Sequence, residues 1–167
     1  WQNGGLAFEI SGAYTRVDIG STTWSGSSDE RIKEEITTST AGLSFINDLR
    51  PVTFKFKKKK DLPTTFKQYE VDSEERVRGN DQTTNHGFIA QEVKTVLDNH
   101  SEVKDGHKIW SQDSADSAQG DIQNLSPSAL IPMLVTAIQE LSQTSADKDG
   151  TISALEERIT TIEQRLV

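Results

Sequence analysis

The residues of this sequence whose types could do chemistry are few, and most stand alone. There are no cysteines, so disulfides, thiolate metal sites and cysteine nucleophiles are all excluded. His86, His100 and His107 have no paired-ligand spacing, which makes a structural or surface role the better reading than metal binding. Asp113, Asp116 and Asp121 lack the loop pattern of a calcium hand and read as solvated loop, so neither a metal nor a cofactor is expected. Trp1, Trp24 and Trp110 could face a sugar, but burial is the safer reading for such large side chains. What remains is the joint Ser25, Gly26, Ser27, Ser28 and the charged run DERIKEEI that follows it, Asp29 to Ile36. Serine ahead of acidic residues is common at helix starts, and Ser27 with Glu30 three positions on makes a capping box. On spacing alone this is an ordinary helix start, with a turn or two of helix over Asp29–Ile36.

The elements around that joint follow from periodicity. LAFEISGAYTRVDIGSTTW, Leu6 to Trp24, scatters Phe8, Ile10, Tyr14, Val17 and Ile19 among Gly, Ser and Thr, which favours short strands and turns. It cannot make a core alone, and it reads as the end of a β-rich stalk. Leu43, Phe45, Ile46 and Leu49 have helical spacing that stops at Arg50 and Pro51, because a residue before proline is driven out of the helical region. Val52, Phe54 and Phe56 alternate with Thr53 and Lys55 as a half-buried strand. The polar stretches Asp61–Gln68 and Asp72–Thr84 read as a hairpin or loop excursion, and the tract Lys57 to Lys60 as a solvated loop at a strand end. GFIAQEVKTVL, Gly87 to Leu97, predicts an amphipathic helix with Ile89, Val93, Val96 and Leu97 on one face. GHKIW, Gly106 to Trp110, reads as a strand and SQDSADSAQGD as a loop. Ser126 caps a further helix with Pro127 at its first position, Leu130, Ile131, Leu134, Ala137, Ile138 and Leu141 running along it, and Pro132 tolerated in its first turns. Ser142 to Gly150 reads as a polar joint.

After that joint, Ile152, Leu155, Ile159, Ile162 and Leu166 are spaced three, four, three and four apart. Ile152, Ile159 and Leu166 then occupy a positions and Leu155 and Ile162 d positions, and isoleucine at d moves preference from two strands towards three or more. A strip this narrow needs a partner helix, and a homotrimer is the favoured reading over a short helix docked on its own domain.

Composition points the same way. In 167 residues only 33% are hydrophobic and 26% charged, so a monomeric core would be poorly supplied and burial between subunits is a natural remedy. The formal net charge of −8 argues against nucleic acid or an anionic membrane as the main partner. No stretch approaches the ~20 apolar residues of a membrane span. The start at Trp1, with no initiator methionine, is what a fragment of a longer protein would show.

Four separated stretches resemble the intramolecular chaperone domain found at the C-terminus of phage endosialidase tailspikes, tail fibres and neck appendages, also classed as the S74 peptidase family. They are SSDERIKEEI (Ser27 to Ile36), LRPVTFKF (Leu49 to Phe56), HGFIAQEV (His86 to Val93) and SPSALIPMLVTAIQEL (Ser126 to Leu141), in the expected order. The resemblance implies a module that trimerises, directs folding of an upstream stalk in the host cytoplasm, and is released by autoproteolysis, leaving the fibre in the virion tail. The family's signature, Ser-Asp-any-Arg-any-Lys, falls on Ser28, Asp29, Arg31 and Lys33, with Ile32 where leucine is more usual. Carried over, Ser28 becomes the nucleophile and Lys33 its base.

A lysine can serve as base only when its amine is neutral, which burial favours and the neighbouring Asp29, Glu30, Glu34 and Glu35 oppose. On one continuous helix positions 28 and 33 would lie about 140° apart and would not meet. Either the helix begins after Ser28, leaving that residue free to fold back, or the lysine of a neighbouring protomer supplies the base. The resemblance favours a cut between Ser28 and Asp29. Attack by Ser28 on its own carbonyl closes a strained four-membered ring, which would require attack from another chain or by an activated water. Attack on the carbonyl of Ser27, at the Ser27–Ser28 bond, closes a five-membered ring instead.

The expected architecture is α+β: a β-rich stub over residues 1–27, a chaperone core over 28–147 and a three-helix coiled coil over 148–167. The expected partners are two further copies and the upstream stalk of the same polypeptide. The competing readings are a trimerisation module that never cuts, and a receptor-binding fibre tip.

Overall fold

The computed structural model describes residues 6–10, 13–17, 25–80, 82–104, 108–117 and 120–166. Trp1, Trp24 and His107 lie outside them. Two compact units divide the chain, residues 1–38 and 39–167.

The first unit holds one antiparallel sheet. Strands β1 (Leu6–Ile10) and β2 (Ala13–Val17) pair along their whole length, and β2 continues onto the two-residue β3 (Ser25–Gly26). The expected strands of the stub are there, built from the β-branched and aromatic residues that suit a pleated surface. The helix expected over Asp29–Ile36 is not. Only a single 3-10 turn forms, Glu30–Ile32, held by Ile32 N to Asp29 O at 3.2 Å and Lys33 N to Glu30 O at 3.0 Å. A first helical turn is costly to nucleate and is normally sustained by an apolar face. Ile32 and Ile36 find no such support and stay exposed.

In the second unit, helix α1 (Leu43–Asp48) ends where proline requires, with Leu49 already extended and β4 (Val52–Phe54) following Pro51. β4 stops short of Phe56, whose ring instead meets Phe54 edge-on at 5.3 Å. The chain then makes an excursion. A 3-10 turn at Lys59–Asp61 and strand β5 (Val77–Asn80) flank it, and it is closed by the Lys58–Arg76 bridge, Lys59 N to Glu75 O at 2.8 Å and Val77 N to Lys57 O at 3.0 Å. The lysine tract is not a solvated loop. Lys58, Lys59 and Lys60 are half-buried and tied to Glu74, to Glu70 and Glu75, and to Glu74 respectively. The two lysines beside Glu74 hold its carboxyl down at about 2.

Strand β6 (Asn85–Gly87) pairs antiparallel with β4, Val52 facing Gly87, so the helix expected from Gly87 begins only at Ala90. That helix, α2 (Ala90–Asn99), turns at His100 into the short α3 (Ser101–Lys104). Of the strand expected at Gly106–Trp110, Gly106 and His107 lie outside the described residues; β7 is Trp110–Gln112, paired with β8 (Gln123–Leu125), and Ile109 ahead of it is fully buried. Ser126 precedes a 3-10 turn, Pro127–Leu130, but its hydroxyl caps nothing; its carbonyl accepts from Ala129 N at 3.0 Å.

Helix α4 then runs unbroken for 35 residues, Ile131–Arg165, straight through the expected joint at Ser142–Gly150. A lone glycine inside a helix costs only about 1 kcal/mol, and the polar residues here make their own supports. Gln143 Nε2 donates to Asp147 Oδ1 at 2.9 Å and Thr151 Oγ1 to the Asp147 carbonyl at 2.9 Å, both one turn apart.

The core of the second unit gathers Ala41, Phe45 and Leu49 from α1 and its flanks, Val93 and Leu97 from α2, Val103, Ile109 and Leu130. Burying each larger apolar side chain contributes roughly 1.5–3 kcal/mol. The fold is α+β, with small antiparallel sheets and a long C-terminal helix. Among the described residues no helix is long and apolar enough to cross a membrane.

Candidate functional site

Because the 3-10 turn begins after Asp29 and ends at an extended Lys33 (φ −119°, ψ 145°), the chain doubles back over five residues. Lys33 Nζ donates to Ser28 Oγ at 2.7 Å, within one chain. The 140° separation of a continuous helix does not arise, since no α-helix joins the two residues. Both side chains are exposed, as are Ser27 and Asp29.

Asp29 caps the turn. Its Oδ1 accepts from Arg31 N and Arg31 Nε, both at 2.9 Å, and its Oδ2 from Arg31 Nη2 at 2.6 Å. The cap is therefore Asp29 and not the capping box of Ser27 and Glu30. The Arg31 side chain, bound to both carboxylate oxygens, is the main cause that brings the Asp29 carboxyl down to about 2; its backbone N–H and the Lys33 charge add to this. A fork of two parallel bonds satisfies a carboxylate more fully than an ammonium does. Arg31 thus occupies the Asp29 carboxylate, and the Lys33 amine lies on a hydroxyl instead of an anion. Beyond Lys33 the chain bends at Glu35, whose φ of 52° is left-handed.

Chemically, a hydroxyl within hydrogen-bond reach of an amine is the first requirement of a serine nucleophile with a lysine base. The second is a neutral amine.

A family model described as the chaperone of endosialidase, peptidase S74, matches residues 28–102. Over that segment the chain is similar to the chaperone-of-endosialidase family. The match begins on Ser28, includes the whole 3-10 turn, and runs through α1 and α2 into the start of α3, ending at Glu102. The family's name joins a chaperone to a peptidase. No curated protein and no solved structure matches the chain.

The other chemistry-bearing residues are scattered. His86 is exposed in β6, and Asp116 and Asp121 are exposed on either side of the β7–β8 connection. Trp110 is half-buried, its Nε1 donating to Gln123 Oε1 at 2.9 Å and its ring facing Lys94 Nζ at 5.3 Å. Among the described residues no group of three His, Asp or Glu side chains is placed to hold a metal. A cavity of about 270 Å³ between α1 and α2 is lined by Leu49, Val93 and Val96 beside the Arg50–Glu92 ion pair, with no aromatic wall. Ile152, Leu155, Ile159 and Ile162 are all exposed on α4, as is Leu166 at its C-cap.

Of the structural or surface role expected for His100, the fold shows the structural one; what the sequence did not reveal is its partners. It is buried at the end of α2, Nδ1 2.7 Å from Glu102 Oε1 and Nε2 2.8 Å from Asp48 Oδ2, and packs edge-on against Phe45. These two carboxylates, Asp48 first, raise its pKa above the usual imidazole value. The His-x-Glu spacing was legible, but Asp48 lies fifty-two positions away and only the fold brings it there.

Proposed function

We propose that this chain is an intramolecular chaperone that assembles as a trimer through Ile152, Leu155, Ile159, Ile162 and Leu166, directs folding of an upstream phage tail spike or fibre, and frees itself by a cut next to Ser28. The observation that carries the reading is the 2.7 Å contact between Lys33 Nζ and Ser28 Oγ at the start of the family-matched segment. Stalks built by non-local strand pairing fold slowly and expose edges, so three chains held in register from one end gain both speed and protection. Once the chaperone is gone, unfolding cannot retrace the folding path, and the fibre becomes kinetically stable.

In the cleavage step a neutral Lys33 amine takes the Ser28 hydroxyl proton as Oγ attacks a peptide carbonyl. The lysine returns that proton to the leaving amine, and water hydrolyses the resulting ester. Attack across chains suits the Ser28–Asp29 bond and attack within one chain the Ser27–Ser28 bond. Packing of further copies would remove water from Lys33, as the base role demands.

A second reading, a trimerisation module that stays attached, is favoured by the exposure of both Ser28 and Lys33 in the single chain. Intact mass over time for the wild-type chain beside Ser28→Ala and Lys33→Ala, with inhibitors of added proteases present, decides between them. A cut adjacent to Ser28 in wild type alone supports self-processing; three intact chains leave the module that does not cut.

A further inference from the structure

Lys33 stands among four carboxylates in the sequence, Asp29, Glu30, Glu34 and Glu35, yet its amine donates to a hydroxyl. That choice needs a cause. An ammonium gains more from a carboxylate than from a hydroxyl, because both partners are then charged. Asp29 is within reach of that attraction, since the Lys33 charge is one of the influences that hold its carboxyl down.

Arg31 withdraws Asp29 from the competition. Asp29 Oδ1 accepts twice, from Arg31 N and Arg31 Nε at 2.9 Å, and Oδ2 accepts from Arg31 Nη2 at 2.6 Å. Three of the carboxylate's roughly four acceptor sites are thereby filled, and the guanidinium matches its charge. A planar fork spans both oxygens, whereas an ammonium at the same position would be a point charge on one of them. The pair lies open to solvent, the Arg31 side chain 87% and the Asp29 side chain 45% exposed, and a pair so exposed adds little to the stability of a fold. Its position beside the Ser28–Lys33 contact is better explained by what it withholds from Lys33.

We propose that Arg31 is a positioning residue for the cleavage: by occupying the Asp29 carboxylate it keeps the Lys33 amine on the Ser28 hydroxyl. This deepens the self-cleavage reading and rests on it. Arg31 acts through Asp29 and not on the reacting atoms. Without the guanidinium, the Asp29 carboxylate is free to take the Lys33 ammonium, and the Ser28 hydroxyl loses its partner.

Four versions of the full chain test this: wild type, Arg31→Gln, Asp29→Asn and the double variant, each followed by intact mass over time. Arg31→Gln is expected to cut roughly two- to five-fold more slowly than wild type, the weight of one exposed ion pair. The double variant has no carboxylate at residue 29 to compete for Lys33, so it is expected to cut faster than Arg31→Gln and at the rate of Asp29→Asn. A turn that merely needs the Asp29–Arg31 pair is broken alike from either side. A double variant no faster than Arg31→Gln therefore overturns the positioning role, as does an Arg31→Gln chain that cuts at the wild-type rate. A wild type that stays whole throughout overturns the cleavage reading itself, and this role with it.

Discussion

At the scale of single residues, the Ser28–Lys33 contact separates the roles of charge and base. Arg31 holds Asp29 through both carboxylate oxygens, leaving the Lys33 amine with Ser28. Lys33→Arg keeps a cation and a donor of similar reach but removes any neutral amine, because arginine stays protonated. If Lys33 is the base, the variant folds normally and its cleavage slows by roughly 10²–10⁴-fold, the usual contribution of a general base. Retained wild-type cleavage, read by intact mass, would remove Lys33 from the chemistry. Little of this geometry was legible beforehand. The residue types stood in the motif, but their meeting depended on a 3-10 turn replacing a helix, and that followed from Ile32 and Ile36 finding no apolar surface. His100 carries a second prediction at this scale. Its pKa is raised in the fold, so its contribution to stability is complete below the ordinary imidazole value of about 6.5 and is lost as pH rises through the raised one. Urea midpoints of the wild type should therefore fall from pH 6 to pH 9, and those of His100→Gln should fall less. Parallel pH profiles would show that the Asp48–His100–Glu102 cluster is energetically silent.

Among elements, α1 depends on α4 more than on its own sequence. Six residues are too few for a stable isolated helix, and α1 has no side-chain cap of its own at Gly42. The Glu140 carboxylate supplies it by accepting from Leu43 N at 2.8 Å. A Cβ at residue 42 would lie against that same carboxylate. Glu140→Ala is expected to lower stability by about 0.5–2 kcal/mol, the range for losing a cap, and Gly42→Ala to act by displacing the same group. The double variant should then be less destabilised than the sum of the two singles, as expected for residues sharing one contact; additive denaturation free energies would refute the coupling. This tie spans ninety-seven positions, and neither Gly42 nor Glu140 announces it in the sequence. The elements that were legible, α1 and α2, have strong helical periodicity and proline or glycine punctuation. Those misread lacked such signals: Asn85–Gly87 becomes a strand through pairing with β4, and the polar stretch 142–150 stays helical because nothing in it except Gly150 opposes a helix.

For the molecule as a whole, the exposed seam of α4 ties stability to assembly. Ile152, Leu155, Ile159, Ile162 and Leu166 are between 47% and 81% exposed in the single chain, beyond the part of α4 that meets the core. A formal charge of −8 per chain works against bringing copies together, so the apolar seam must outweigh that repulsion, and added salt should help by screening it. If copies fold as they associate, mass action makes the melting temperature rise with protein concentration, since each copy is a ligand for the others. Ile159→Asp places a carboxylate in an apolar layer and should abolish that dependence, leaving a monomeric core that melts at one temperature from micromolar to millimolar protein. Thermal melts across that range, with sedimentation to count the copies, check both parts. A wild-type melting temperature independent of concentration, in a particle that sediments as a single chain, would mean that the seam is covered by something other than another copy of this protein.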